Sequence, residues 1–376
     1  MSGAGGRSYL AIPGPSVMPE EVLRAMHRAA PNIYEGDLVD LTATILPDLA
    51  YVARTSAKVA IYIANGHGAW EAALANVLSP GDRVLVPATG RFGHGWAEMA
   101  TGLGAEVELL DFGRDKRIDP EAVAQRLKAD KDGRIKAVLA THVDTSTGIL
   151  NDIAALRAAI DTVGHPALLM ADCIASMGCD RFEMDAWGVD VAVAASQKGL
   201  MVPPGLGFVF VGQKAEAVRQ AMPRVSRYWD WAPRLDPEMF FQHFGGTAPT
   251  HHLFGLRASL DMIRAEGIDA IWARHERLAR AVWSACETWG AGGPLSLNVA
   301  DRAHRSRAVT ALRIGLGMLE EGDPSGGGFF RLGHMGHVNA QMIMGLLGGV
   351  EAAFVALDIP HGQGALAAAA RDLAAV

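Results

Sequence analysis

Short aliphatic and β-branched runs alternate with stretches whose apolar residues recur at helical spacing through the first half of the chain. The runs at 59–63, 82–87, 107–111, 135–141, 167–171, 189–195 and 207–211 read as strands. Between them, 69–78, 93–103, 120–129 and 152–163 read as helices, the last capped by Asn151. Nearly continuous apolar strands, each followed by a helix, belong to a sheet covered on both faces. The pattern therefore predicts an α/β fold with a mostly parallel central sheet. In such sheets, functional groups sit beyond the carboxyl ends of the strands. From Pro249 onward the pattern turns helical, becomes glycine-rich at 326–328 and is helical again to the end. This predicts an N-terminal arm at 1–20, a large domain at 21–250 and a smaller α/β domain at 251–376. No internal repeat is visible.

Composition narrows the class of protein. The chain has 376 residues, long enough for a large core and two domains, and half of them are hydrophobic. A formal charge of −7 argues against a nucleic-acid surface and leaves no polybasic patch for a membrane. Residues 64–78 are apolar-rich but carry Asn65, His67 and Glu71, and nowhere do about 18 uncharged apolar residues run together, so no membrane span is expected. The glycine-rich stretch 1–9 lacks the apolar core of a signal peptide. Cys173, Cys179 and Cys286 are odd in number and lack metal-ligand spacing, which points to a reducing cytoplasm.

Two residues carry the chemistry. Asp172 follows the apolar run Leu169-Met170-Ala171, and Lys198 follows Ala194-Ala195-Ser196-Gln197. Desolvation at the end of a buried strand disfavours the ammonium and frees a neutral amine to attack a carbonyl. Such a lysine suits pyridoxal phosphate, whose ring nitrogen needs a fixed carboxylate beneath it, as Asp172 could be. The turn Asn65-Gly66-His67-Gly68, between a strand and a helix, offers backbone N–H donors to a phosphate. Phe92 follows another strand and could stack on a pyridine ring. Other constellations are weaker. His334 with His337, and His251 with His252, complete no tetrahedral set, so no metal is expected. No phosphate loop ending in Gly-Lys-Ser occurs. His142 reads as a packed or cofactor-adjacent histidine rather than half of a dyad with Asp144, and Trp187, Trp229 and Trp231 read as buried near a domain junction.

Several motifs in one order are more specific than any of them singly. The series runs through Pro13-Gly14-Pro15, Asn65-Gly66-His67-Gly68 before Trp70-Glu71-Ala72-Ala73-Leu74, and Ser79-Pro80-Gly81-Asp82. It continues with Thr141-His142 through Ser146-Thr147-Gly148, Ala171-Asp172, Ser196-Gln197-Lys198-Gly199, Pro203-Pro204-Gly205 and Arg331-Leu332-Gly333-His334. It resembles the class V aminotransferases over nearly the whole chain, and within them the alanine-glyoxylate, serine-glyoxylate and serine-pyruvate group. The resemblance implies pyridoxal-phosphate fold type I and a ping-pong transfer from alanine or serine to a 2-oxo acid such as glyoxylate or pyruvate. It casts Lys198 as covalent anchor and general acid/base, Asp172 as partner of the ring nitrogen and Phe92 as the ring-stacking aromatic. It assigns Asn65, Gly66 and His67 to the phosphate loop, Gln197, just before the lysine, to the phosphate as well, Thr145 to the ring oxygen and Arg331 to the substrate carboxylate. Thr247 resembles a residue that crosses to the partner subunit's phosphate, implying a homodimer with shared active sites.

Three departures limit what the resemblance carries over. Phe244 stands where some relatives have a tyrosine. The segment Asn32-Ile33-Tyr34-Glu35-Gly36-Asp37, with Tyr34 as a substrate-binding candidate, lacks the Asp-His-Arg wording of close serine-glyoxylate enzymes, and 312–330 looks shorter than in relatives by roughly a helix. The alternative is a pyridoxamine-pyruvate transaminase, since Gly333-His334-Met335-Gly336 and Tyr34 also resemble that enzyme, although 315–318 lacks the second arginine expected there. A cysteine desulfurase-like enzyme and a non-catalytic cofactor-binding protein complete the alternatives.

Overall fold

The structure, a computed structural model, describes residues 9–315 and 328–375. Nine strands come first: β1 (Lys58–Ala64), β2 (Arg83–Ala88), β3 (Glu106–Asp111), β4 (Ile135–Thr141), β5 (Val143–Asp144), β6 (Ile149–Leu150), β7 (Leu168–Asp172), β8 (Val191–Ala195) and β9 (Gly205–Val211). Seven of them form one sheet in the order β1-β9-β8-β7-β4-β2-β3. Only β9 runs against its neighbours, so the sheet is mostly parallel, as the alternation of strands and helices implies.

Strand geometry sorts the core. Successive side chains point to opposite faces, so Ala137 and Leu139 of β4 join Trp70 and Trp96 on one side. Val138 and Ala140 join Leu156, Ile160 and Phe208 on the other. In β7, Leu168 and Met170 belong to the Trp70 side and Leu169 and Ala171 to the opposite one. That parity turns Asp172 toward Trp70. The helices Gly66–Ala75 and Arg91–Gly102 cover this side, while Asp37–Val52, Ile153–Thr162 and Thr250–Glu266 cover the other.

A second sheet, in the order β10-β11-β12, is antiparallel and consists of β10 (Leu295–Leu297), β11 (Val309–Ile314) and β12 (Gly328–Gly333). It packs with the helices Ile268–Gly290, Ala340–Ala356 and Ala365–Ala374 around a separate core that includes Trp289, Leu312, Leu332 and Phe354. Among the described residues, no helix is long and apolar enough to cross a membrane. The gap in the 312–330 stretch and the missing arginine at 315–318 fall largely at 316–327, outside the described residues.

Local differences from the sequence pattern have local causes. The first two covered helices start at Gly66 and Arg91 rather than at 69 and 93, because their glycine-rich first turns carry no apolar periodicity. The cap of Ile153–Thr162 is Asp152, which accepts the Ala155 N–H at 2.9 Å, and not Asn151. Asn151 is recruited inward instead: it accepts the Ile118 N–H and donates to Thr141 O and Thr89 Oγ1.

Candidate active site

A cavity of about 330 Å³ opens beyond the carboxyl ends of β1 and β7, at the turn joining β8 to β9. Asp172, the last residue of β7, is buried in its wall, where Oδ1 accepts the Ile174 N–H at 2.9 Å. Burial pushes its carboxyl pKa up to about 7, with the negative charge of Asp144 adding and the positive charge of Lys198 opposing. Lys198, in the β8–β9 turn, lines the same cavity. Burial pushes its ammonium down to about 8, Asp172 opposing and Arg331 reinforcing the change.

The N-terminal segment lies across this lysine. Lys198 Nζ donates to the Pro13 carbonyl, Ser16 N–H donates to Gln197 O at 2.8 Å, and Ser16 Oγ donates to Lys198 O at 2.7 Å. Gly14 has φ 110°, and a Cβ there would lie 2.5 Å from Nζ, so glycine is required twice over. The motif Pro13-Gly14-Pro15 was visible in the sequence as part of the resemblance, but nothing local to it signals contact with a lysine nearly two hundred positions away.

The other expected groups converge here. Asn65 is the cap of Gly66–Ala75, its Oδ1 accepting the N–H groups of His67 and Gly68 at 3.1 and 3.3 Å. Gly66, at the positive end of that helix, lines the cavity. His67 sits edge-on to Trp70, ring centroids 4.8 Å apart, and burial with the nearby Arg91 charge lowers its pKa. Phe92 lines the cavity and meets Trp70 edge-on at 6.2 Å. Trp70 itself, stacked on Trp96 at 5.9 Å, is a wall residue that sequence reasoning passed over; its place one turn after Gly66 was the available signal. Thr145 and Gln197 also face the cavity, and Gln197 Oε1 is buried without a hydrogen-bond partner. Arg331 reaches over from β12, Nη1 donating to Thr145 O at 2.9 Å.

Two expected residues lie elsewhere. Tyr34 is 84% exposed and Thr247 is exposed, and neither lines this cavity. Phe244 is fully buried. Cys173 and Cys179 are fully buried and burial raises both thiols, Cys179 to about 12, so neither is a mobile nucleophile of the kind desulfuration needs. His142 turns away from the cavity, packing on Phe182 and Trp187, with Nδ1 at 2.9 Å from Ser176 Oγ.

The arrangement is a lysine and a buried aspartate on one cavity, with a helix amino terminus and an aromatic wall around them. The sequence profile of the aminotransferase class-V family matches residues 9–312. The chain belongs to the class V aminotransferases. A serine-glyoxylate aminotransferase of Arabidopsis thaliana is 34% identical over 383 residues, covering 97% of this chain and 94% of the relative. An L-aspartate-glyoxylate aminotransferase of Paracoccus denitrificans is 34% identical over 380 residues, covering 96% and 94%. The crystal structure of a pyridoxamine-pyruvate aminotransferase from Mesorhizobium loti superposes with a TM-score of 0.87 at 26% identity, covering 99% of this chain and 98% of that one. The protein is therefore a pyridoxal-phosphate-dependent aminotransferase of fold type I. The cavity of this aminotransferase fits that cofactor: the Gly66 helix terminus, the Phe92 and Trp70 rings and the Asp172 carboxyl offer contacts to a phosphate, an aromatic ring and a protonated ring nitrogen, and the buried Gln197 Oε1, without a partner among the described residues, offers an acceptor.

Proposed function

We propose that this aminotransferase moves the amino group of alanine or serine to a 2-oxo acid such as glyoxylate or pyruvate, in two half-reactions of a ping-pong cycle. The observation that carries this reading is the single cavity shared by Lys198 and Asp172, with Arg331 bonded to its wall at Thr145. The names of the glyoxylate-using relatives support a small acceptor.

Bound here, pyridoxal phosphate supplies an electron sink for the breaking Cα–H bond of the donor. Lys198 would anchor the cofactor covalently and, when free, would take the donor's Cα proton onto Nζ and return it; burial lowers its pKa toward the range in which one nitrogen can do both. Asp172 holds its negative charge against the ring nitrogen, and Phe92 offers its face to the ring. Asn65, Gly66, His67 and Gln197 hold the phosphate, and Thr145 stands by the ring oxygen. Arg331 clamps the substrate α-carboxylate with a two-pronged guanidinium. Thr247, exposed and outside the lining of its own chain's cavity, reaches the phosphate of a partner subunit, which makes the enzyme a homodimer with shared sites. Tyr34, in the exposed segment before Asp37–Val52, joins the substrate site from outside the cavity. The chain divides into an arm at 1–20, a cofactor domain at 21–250 and a small domain at 251–376, and its three free cysteines suit the cytoplasm.

Similarity over the full length to the pyridoxamine-pyruvate enzyme favours a second reading, in which pyridoxamine is the donor. A panel of alanine, serine, aspartate and pyridoxamine against glyoxylate, pyruvate and oxaloacetate separates the two. The highest kcat/KM is expected for alanine or serine with glyoxylate or pyruvate. Pyridoxamine with pyruvate as the best pair would replace this reading, and an absorbance band of bound cofactor that no amino acid diminishes would mark a non-catalytic protein.

A further inference from the structure

Asp144 ends β5 and is fully buried. Its Oδ2 accepts the N–H of Phe92 at 2.9 Å and that of Gly93 at 3.4 Å. Its Oδ1 accepts the N–H and the hydroxyl of Ser146 at 2.9 and 2.6 Å, and Ser146 Oγ accepts the Arg91 N–H at 2.9 Å. Arg91, Phe92 and Gly93 are the first three residues of the helix Arg91–Gly102, whose leading N–H groups have no partners within the helix. The local cap position, Gly90, has no side chain to serve them. A Cβ on Gly90 would lie 2.7 Å from both Asp144 Cγ and Ser146 Oγ, so the two kinds of cap exclude each other. The helix is capped instead by a carboxylate 52 positions further along the chain, whose charge also suits the positive end of the helix.

Thr145, between these two capping residues, lines the cavity and receives Arg331 on its carbonyl oxygen. One turn therefore binds the Phe92 backbone N–H on one side and Arg331 on the other. We propose that Asp144 is the positioning residue that fixes the Phe92 ring against the cofactor, through the capped first turn of its helix. The proposal rests on Phe92 stacking on the cofactor, as read above.

The test is a double-mutant cycle on the holoenzyme, read by the dissociation constant for pyridoxal phosphate in dialysis and by the visible circular dichroism of the bound cofactor. Phe92→Leu and Asp144→Ala are each expected to weaken retention about tenfold, and the pair no more than about twofold beyond the worse single variant, because both remove one contact. Adding Gly90→Ser and Ser146→Ala to Asp144→Ala supplies a local cap in the space both side chains vacate and should restore retention to within about threefold of the parent, together with the dichroism. Full additivity, near a hundredfold, would overturn the proposal while leaving the reading of Phe92 intact. Recovery of melting temperature by Gly90→Ser without recovery of retention would overturn it as well. Unchanged retention in Phe92→Leu alone would remove the stacking contact and this inference together. If Asp144→Ala does not fold, Ser146→Ala loosens the same turn and enters the same cycle.

Discussion

The molecule holds a larger cavity than the one that Lys198 and Asp172 share. About 520 Å³ in volume, it lies between His142 and Trp187 and the helix Ile268–Gly290. Its charges are largely settled among neighbours: Arg307 pairs with Glu276 at 2.6 Å, Arg181 with Glu183 at 2.6 Å, Asp269 with Arg54, and Asp152 caps a helix. Burial drives the pKa of His142 down to about 3, but a neutral imidazole hydrogen-bonded to Ser176 is a stable end state. In the smaller cavity the two shifts run toward each other, Asp172 up to about 7 and Lys198 down to about 8, and Gln197 Oε1 waits without a partner. Volume does not locate a site; groups kept from water with their charges unresolved do.

The contrast breaks first at the lysine. Lys198→Ala is expected to lose all borohydride-fixable cofactor, seen by intact mass, and to lower transamination by at least about 10⁴-fold, since anchor and proton carrier go together. Fixable label retained in that variant would put the reacting amine elsewhere.

A smaller effect sharpens the electrostatics. Below its pKa Lys198 is an ammonium and cannot attack, so cofactor fixation by the apoprotein should rise about tenfold per pH unit and level off above about 8. Asp172→Asn should move that midpoint down, because the carboxylate charge is what holds the ammonium up. A midpoint at the ordinary lysine value of 10.5 would mean that the side chain is not desolvated in solution.

The smallest effect belongs to the larger cavity. His142→Ala should cost about 1 to 3 kcal/mol of stability in thermal melts, through the lost Ser176 contact and aromatic packing, with kcat within about twofold. A large loss of kcat at unchanged melting temperature would bring that cavity into the chemistry.

Much of this was readable residue by residue. The strand run ending at Asp172 has its parity written in Leu168 and Met170, which share a core with Trp70 and so carry the carboxyl to the side of the cavity that Trp70 lines. Lys198 was recognisable from the apolar run before it. What escaped was non-local. Pro13 accepts a bond from Lys198, Asp144 caps a helix that begins at Arg91, and Asn151 gives up a helix cap to bridge Ile118 and Thr141. Each partner is far off in sequence, and a polar side chain beside a helix start looks the same whether it caps that helix or another.

Periodicity alone predicted the α/β architecture and the strand ends beyond which Asp172 and Lys198 lie, because strand and helix repeats are local properties of neighbouring residues. Only the folded chain brought Gly14, Gly66, Phe92, Thr145 and Lys198 around one cavity and drew Arg331 to its wall. The shifts of Asp172 and Lys198 belong to that second level too, since desolvation is set by what surrounds a group in space.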